Sequence, residues 1–232
     1  MPSVPAIPFA AALISAAFAS LVLRQYLIRR RLHQLAWGGA LAMFAAAALI
    51  EAIAGVWGWS VTAYRLYYLL GGLLDVGWLG AGTLLLLSRP AGRGAAIVMA
   101  VLTMVAIPAV IVAPVHTELL GQAEPGRGAM GGLPLVLAPI TNVLGSVALI
   151  GGALWSAWSA WRHHAPTSLV VGLAVLAGGA LVAAAGHGLA GQVGGRHLLA
   201  PLGELAGAVL MFTGYLAVEA PQRAAADVRT AV

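Results

Sequence analysis

Apolar residues run along this chain in blocks broken by short clusters of Arg, Gly, Pro and His, and seven of the blocks approach the ~20 residues a helix needs to cross a bilayer. They cover 5–28, 34–57, 61–87, 95–115, 133–160, 167–190 and 197–219. The blocks lack the alternation of apolar and polar positions that a membrane barrel requires. Helices are then the way left to satisfy backbone groups in lipid. The pattern predicts an all-α membrane protein with seven transmembrane helices, a single domain over 1–220 and a short cytoplasmic tail over 221–232. The one long connector, 116–132, carries Gly, Pro and charges and reads as an exposed outer loop.

Composition sharpens the class without changing it. With 61% hydrophobic and 8% charged residues, the chain has too little polar surface for a water-soluble domain. Arginines set the orientation. Arg29, Arg30 and Arg31 follow the first span, Arg89 and Arg93 the third, Arg162 the fifth, and Arg223 and Arg229 the seventh. The positive-inside rule places these connectors in the cytoplasm, so the N-terminus is expected outside and the C-terminus inside a cytoplasmic (inner) membrane. The opposite loops hold Glu118, Glu124 and Arg127, nearly balanced. The net charge of +5 thus follows from topology, and a nucleic-acid partner is not expected. Charges follow the first apolar block instead of preceding it, which reads as a retained first helix rather than a signal peptide.

Against this background the charged residues inside the spans stand out. Glu51, Asp75 and Glu204 lie within apolar runs, where an ionisable side chain costs several kcal/mol unless it is paired or hydrated. At ~1.5 Å per residue, Glu51 and Glu204 lie roughly 10 Å below the outer surface, Asn142 about 13 Å, and Asp75 near the midplane. Arg65, His187 and His197 would stand above them near the mouth. At 100° per residue, Arg65, Tyr68, Gly72, Asp75 and Gly82 share one stripe of the third span, and His197, Glu204, Met211 and Tyr215 one of the seventh. The expected site is an outward-opening polar pocket formed by Glu51, Arg65, Tyr68, Asp75, Asn142, His187 and Glu204. The competing structural reading pairs Glu51 or Glu204 with Arg65 or Arg196 as buried ion pairs.

Other chemistry is poorly served. Cysteine is absent, which removes thiolate catalysis and Cys-ligated metals. Lysine is absent too, so the layout shared with rhodopsins cannot carry a retinal Schiff base. Haem needs His pairs at matched depth, and only His187 is well inside a span. No HExxH or Ser-His-Asp set occurs. Neither a cofactor nor a metal is expected, nor an enzyme.

Residues 44–65 align loosely with 175–196, which predicts parallel repeats, spans 1–3 and 5–7, joined by span 4 in a 3+1+3 arrangement like that of semi-SWEET-type sugar transporters and their relatives. Small residues on the helix faces, among them Gly178, Gly179 and Gly186, predict close packing, with Gly178 and Gly179 also candidates for a hinge. Trp57, Trp59, Tyr64 and Tyr67 mark the outer interface, and Trp155, Trp158 and Trp161 the inner one. The expected function is binding or transport of a small solute, cation or proton through intramembrane carboxylates. The alternative is a receptor-like sensory module signalling to a cytoplasmic partner. Expected partners are the lipid bilayer and the solute or ion, with a homo-oligomer left open.

Overall fold

The structure, a computed structural model, describes residues 5–121, 125, 127–190 and 199–230, the side chains at 127, 187–190 and 220–230 excepted. Its helices are α1 (Ala6–Arg29), α2 (Leu32–Trp57), α3 (Val61–Tyr67), α4 (Asp75–Leu87), α5 (Arg89–Val112), α6 (Leu133–Arg162), α7 (Thr167–Ala190) and α8 (Leu199–Thr230), with a π-helical segment, Tyr68–Leu74, joining α3 to α4. Counting α3, the π segment and α4 as one, seven helices are long and apolar enough to span a membrane. The chain is a multi-pass membrane protein.

Local chemistry sets several boundaries. Ser60 caps α3, its Oγ accepting from the Ala63 N–H at 3.1 Å. Arg30 ends α1 in the left-handed conformation, φ 51°, its N–H bonded to the Tyr26 carbonyl. α5 starts at Arg89, six residues before the apolar block that marks it, because Pro90 fits the first turn of a helix. α8 continues to Thr230, past the apolar stretch that ends near 219.

Contacts arrange six of the spans in a ring. Round it run α1, α2, α3 with α4, α6, α7 and α8, and α8 returns to α1. α5 packs outside, chiefly on α4. The arginine-bearing ends lie together. Arg29 Nη1 approaches Glu219 Oε1 of α8 at 3.7 Å. Trp37 Nε1, near the start of α2, donates to the Leu79 carbonyl at 3.1 Å and to Thr83 Oγ1 at 3.3 Å near the end of α4. Gly152, late in α6, packs on Thr83 and Leu87, and Gly172, early in α7, on Gly214 and Val218 of α8.

Glycine makes the closest helix pairs. On α7, Gly172, Gly179 and Gly186 recur at seven-residue spacing and meet Gly214, Gly207 and Gly203 of α8. A Cβ at Gly179 would lie 2.7 Å from Met211 N and 2.8 Å from the Gly207 carbonyl, so the two backbones touch. Gly80 and Gly145 do the same for α4 and α6. Gly178 meets nothing within 4 Å, which separates it from its neighbour.

The α5–α6 connector is in part the exposed loop expected, with His116, Thr117, Glu118 and Gly121 exposed, and in part folded in. Its backbone pairs His116 N–H with the Ala129 carbonyl and Gly131 N–H with the Pro114 carbonyl. Leu120, Ala129 and Met130 are buried, packed with Tyr64 of α3 and Ala113 beyond α5. Apolar side chains inside the loop explain the difference: they fold it back onto the protein.

Candidate functional site

An apolar cavity on the ring axis is lined by Phe18 of α1, Trp37 and Leu41 of α2, Leu79 of α4, Leu149 of α6, Leu176 of α7, and Met211 and Tyr215 of α8. Every ring helix contributes. Phe18 stacks against Phe212 and Tyr215 at centroid distances of 5.3 and 4.9 Å, which ties α1 to α8 at this level. At about 20 Å³ the space holds roughly one water, and its lining gives that water no partners. The axis is plugged here.

The residues lining the plug define which face of each helix points inward, and the polar residues lie toward those faces, one to three turns toward the end opposite the arginines. Asp75 precedes Leu79 by four residues on α4. Asn142 precedes Leu149 by seven on α6, and Glu204 precedes Met211 by seven on α8. Ser15 precedes Phe18 by three on α1. On α2, Ala48 follows Leu41 by seven and Glu51 follows Ala48 by three. Offsets of three, four and seven keep a helical residue on one face. Glu51, Asp75 and Glu204 are 7%, 3% and 4% exposed, buried as deeply as the apolar core.

One small cluster lies beside Glu51 and Glu204 in the chain, three residues from the first and one from the second. Ala11 and Ala12 of α1 and Ala48 of α2 pack with Leu205 of α8, so alanines hold three helices close at this level. Glu51 lies six residues, roughly 9 Å, from the end of α2.

The other candidates gather round the π segment. Its Gly71 admits α2 closely: a Cβ there would lie 2.7 Å from the Ala47 Cβ. Asn142 Nδ2 donates to the Gly72 carbonyl at 2.8 Å, while Asn142 Oδ1 is buried with no hydrogen bond among the described residues. The Tyr68 hydroxyl donates to the Pro134 carbonyl at 3.4 Å. Asp75 Oδ1 accepts from the Val76 N–H at 2.7 Å, at the first residue of α4. Arg65 turns outward instead, its Nη2 donating to the Ala113 carbonyl at 2.9 Å. That contact replaces the Glu51–Arg65 ion pair considered from sequence. It also breaks the single stripe that would align Arg65 with Asp75, because the π segment between them has a wider turn than the 100° per residue assumed.

His187 lies in the last turn of α7 with its side chain outside the described residues, and Arg196 and His197 lie outside them altogether. No group of three or more His, Cys, Asp or Glu able to hold a metal occurs among the described residues. Five buried polar residues escaped notice in the sequence: Ser15, Gln34, Thr83, Thr141 and Glu219. Ser15 is 1% exposed, and its Oγ has no hydrogen bond among the described residues. Gln34, 4% exposed, donates through Nε2 to Gln25 Oε1 at 3.1 Å. Glu219 is 7% exposed and faces Arg29. A serine in an Ala-rich helix and a glutamate at the edge of a span carry little signal of their own. Comparison with family models, curated proteins and solved structures finds no match.

Proposed function

We propose that this protein binds and transports a small solute, cation or proton along the axis of its helix ring, with Glu51, Asp75 and Glu204 as the groups that take and release it. One observation supports the reading: buried or part-buried polar groups on α1, α2, α4, α6 and α8 lie toward the inner faces of their helices, one to three turns beyond an apolar plug and all on the same side of it. Intramembrane carboxylates in such positions are the usual mark of an ion or proton pathway. Ser15 and Asn142 join the set, and Tyr68 and Asn142 hold the π segment that presents Asp75. Arg65, fastened to Ala113, is an outer positioning residue rather than a ligand.

The positive-inside rule puts the plug toward the cytoplasm and the carboxylates toward the outside of the cytoplasmic membrane. The neighbour order round the ring supports the 3+1+3 repeat. It is the order that two three-helix units related by a twofold along the axis would take, with α5 as the linking span. Rocking of one unit against the other would open the plug. Transport is favoured over the receptor reading because the connectors at the arginine-rich end are short: two residues after α1, one after α4 and four after α6. They offer a cytoplasmic partner little to grip.

Proteoliposomes test the reading directly. Protein-dependent proton or cation flux should fall to background in Glu51→Gln, Asp75→Asn and Glu204→Gln variants that remain folded. Undiminished flux in all three would remove the carboxylates from the path.

A further inference from the structure

A second site lies at the opposite end of the molecule, away from the carboxylates. The last turn of α6 and the first turn of α7 enclose a groove of about 580 Å³ lined by Trp161, Arg162, His164, Ala165, Thr167 and Val170. Its fixed charge is the Arg162 guanidinium, the His164 ring adds a second nitrogen-bearing group, and no carboxylate lines it. The turn is built to present them. His164 takes the left-handed conformation, φ 52°, while the neighbouring His163 ring is tied back through Nδ1 to the Ser159 carbonyl at 2.7 Å. Arg162 lies over the Trp158 ring at 4.9 Å, which holds the guanidinium against the outer face of α6. Trp155 and Trp161 are 59% and 67% exposed, and indoles so placed on a spanning helix belong at the headgroup level of a bilayer.

From these observations we infer that the groove binds the phosphate of an anionic phospholipid headgroup, with Arg162 as the principal ligand, His164 and the Thr167 hydroxyl completing the polar contacts, and Trp161 packing along the glycerol and upper acyl chain. A guanidinium suits this task because its fork of donors matches phosphate oxygens and its charge does not depend on pH. Position selects lipid over a soluble phosphate, since one wall of the groove is apolar and its rim carries aromatic side chains that would stand in the interface. Charge selects an anionic lipid over a zwitterionic one. The inference is independent of what passes along the ring axis.

Native mass spectrometry of the full chain in detergent, titrated in turn with phosphatidylglycerol, phosphatidylcholine and inorganic phosphate, tests it. The wild type should retain phosphatidylglycerol in preference to phosphatidylcholine. Arg162→Gln should weaken phosphatidylglycerol about tenfold, the loss of one charge-assisted hydrogen bond. Arg93→Gln, which removes an exposed arginine of α5 at the same end, should leave it unchanged. Equal retention of the two lipids, or an equal loss in both arginine variants, would overturn the site. Inorganic phosphate displacing the lipid at comparable concentration would overturn the lipid as occupant.

Discussion

Asn142 shows how one side chain can hold an irregular backbone inside a membrane. Its amide donates to the Gly72 carbonyl within the π segment, where lipid could not replace the bond. Its own Oδ1 is buried and lacks a hydrogen bond among the described residues, so the side chain brings a penalty along with its benefit. Asn142→Ala should therefore lower stability only modestly, by about 1 kcal/mol, because it removes both. Asn142→Asp should be worse, since a carboxylate oxygen would face the Gly72 carbonyl. Thermal unfolding in detergent should rank wild type above Asn142→Ala and Asn142→Asp last; an aspartate variant as stable as wild type would mean that Gly72 is not where the amide donates. Sequence picked out Asn142, Glu51, Asp75 and Glu204 because polar atoms inside apolar blocks are conspicuous. It passed over Ser15, since a hydroxyl can bond its own helix and serine in a span is unremarkable. It joined Arg65 to Asp75 because a regular period was assumed across Gly71 and Gly72.

At the scale of the element, α7 and α8 meet through paired glycines, and adjacent glycines in α7 have opposite surroundings. Gly179 touches Met211 and Gly207 through backbone atoms, whereas Gly178 faces open space. Gly179→Ala must push two helices apart and should cost about 1–3 kcal/mol, as overpacking does. Gly178→Ala meets no obstacle and should be neutral or stabilising by up to ~1 kcal/mol through helix propensity. Unfolding midpoints of the two variants should move in opposite directions or one should not move at all; equal losses would mean that this contact is not the one that holds α7 to α8. The seven-residue recurrence of Gly172, Gly179 and Gly186 was present in the sequence, and it predicted close approach without naming the partner helix. Span positions were legible because hydropathy registers length directly, and α2, α3 with α4, α6 and α7 begin within two residues of the expected sites. The π segment was not. One widened turn leaves hydropathy unchanged, and only the Gly71–Gly72 pair hinted at it.

The whole molecule poses a question of permeability. On the proposed reading, a ring of six helices with carboxylates facing its axis would leak protons if water filled it, and the apolar plug would prevent this: eight side chains leave about 20 Å³ among them. Constrictions of this kind close a pore by excluding water rather than by filling every gap, so enlarging one should wet it. Leu149→Ala removes three carbons from the axis in a helix that α4 and α7 hold on both sides. The substitution costs stability, about 2–5 kcal/mol for a buried leucine, so a lipid-facing control is needed. Leu144→Ala serves, being of the same chemistry on the same helix at a position 65% exposed. In proteoliposomes under an imposed pH gradient, wild type and Leu144→Ala should hold the gradient, and Leu149→Ala should dissipate it severalfold faster. Adding Glu204→Gln to Leu149→Ala then separates two cases. If the leak falls, the carboxylate and the plug lie on one path, since a proton must pass the first to reach the second. If the leak persists, water alone bridges the axis and Glu204 stands aside from it. A folded Leu149→Ala that seals as tightly as wild type would place the path elsewhere than the ring axis, whatever the carboxylates bind.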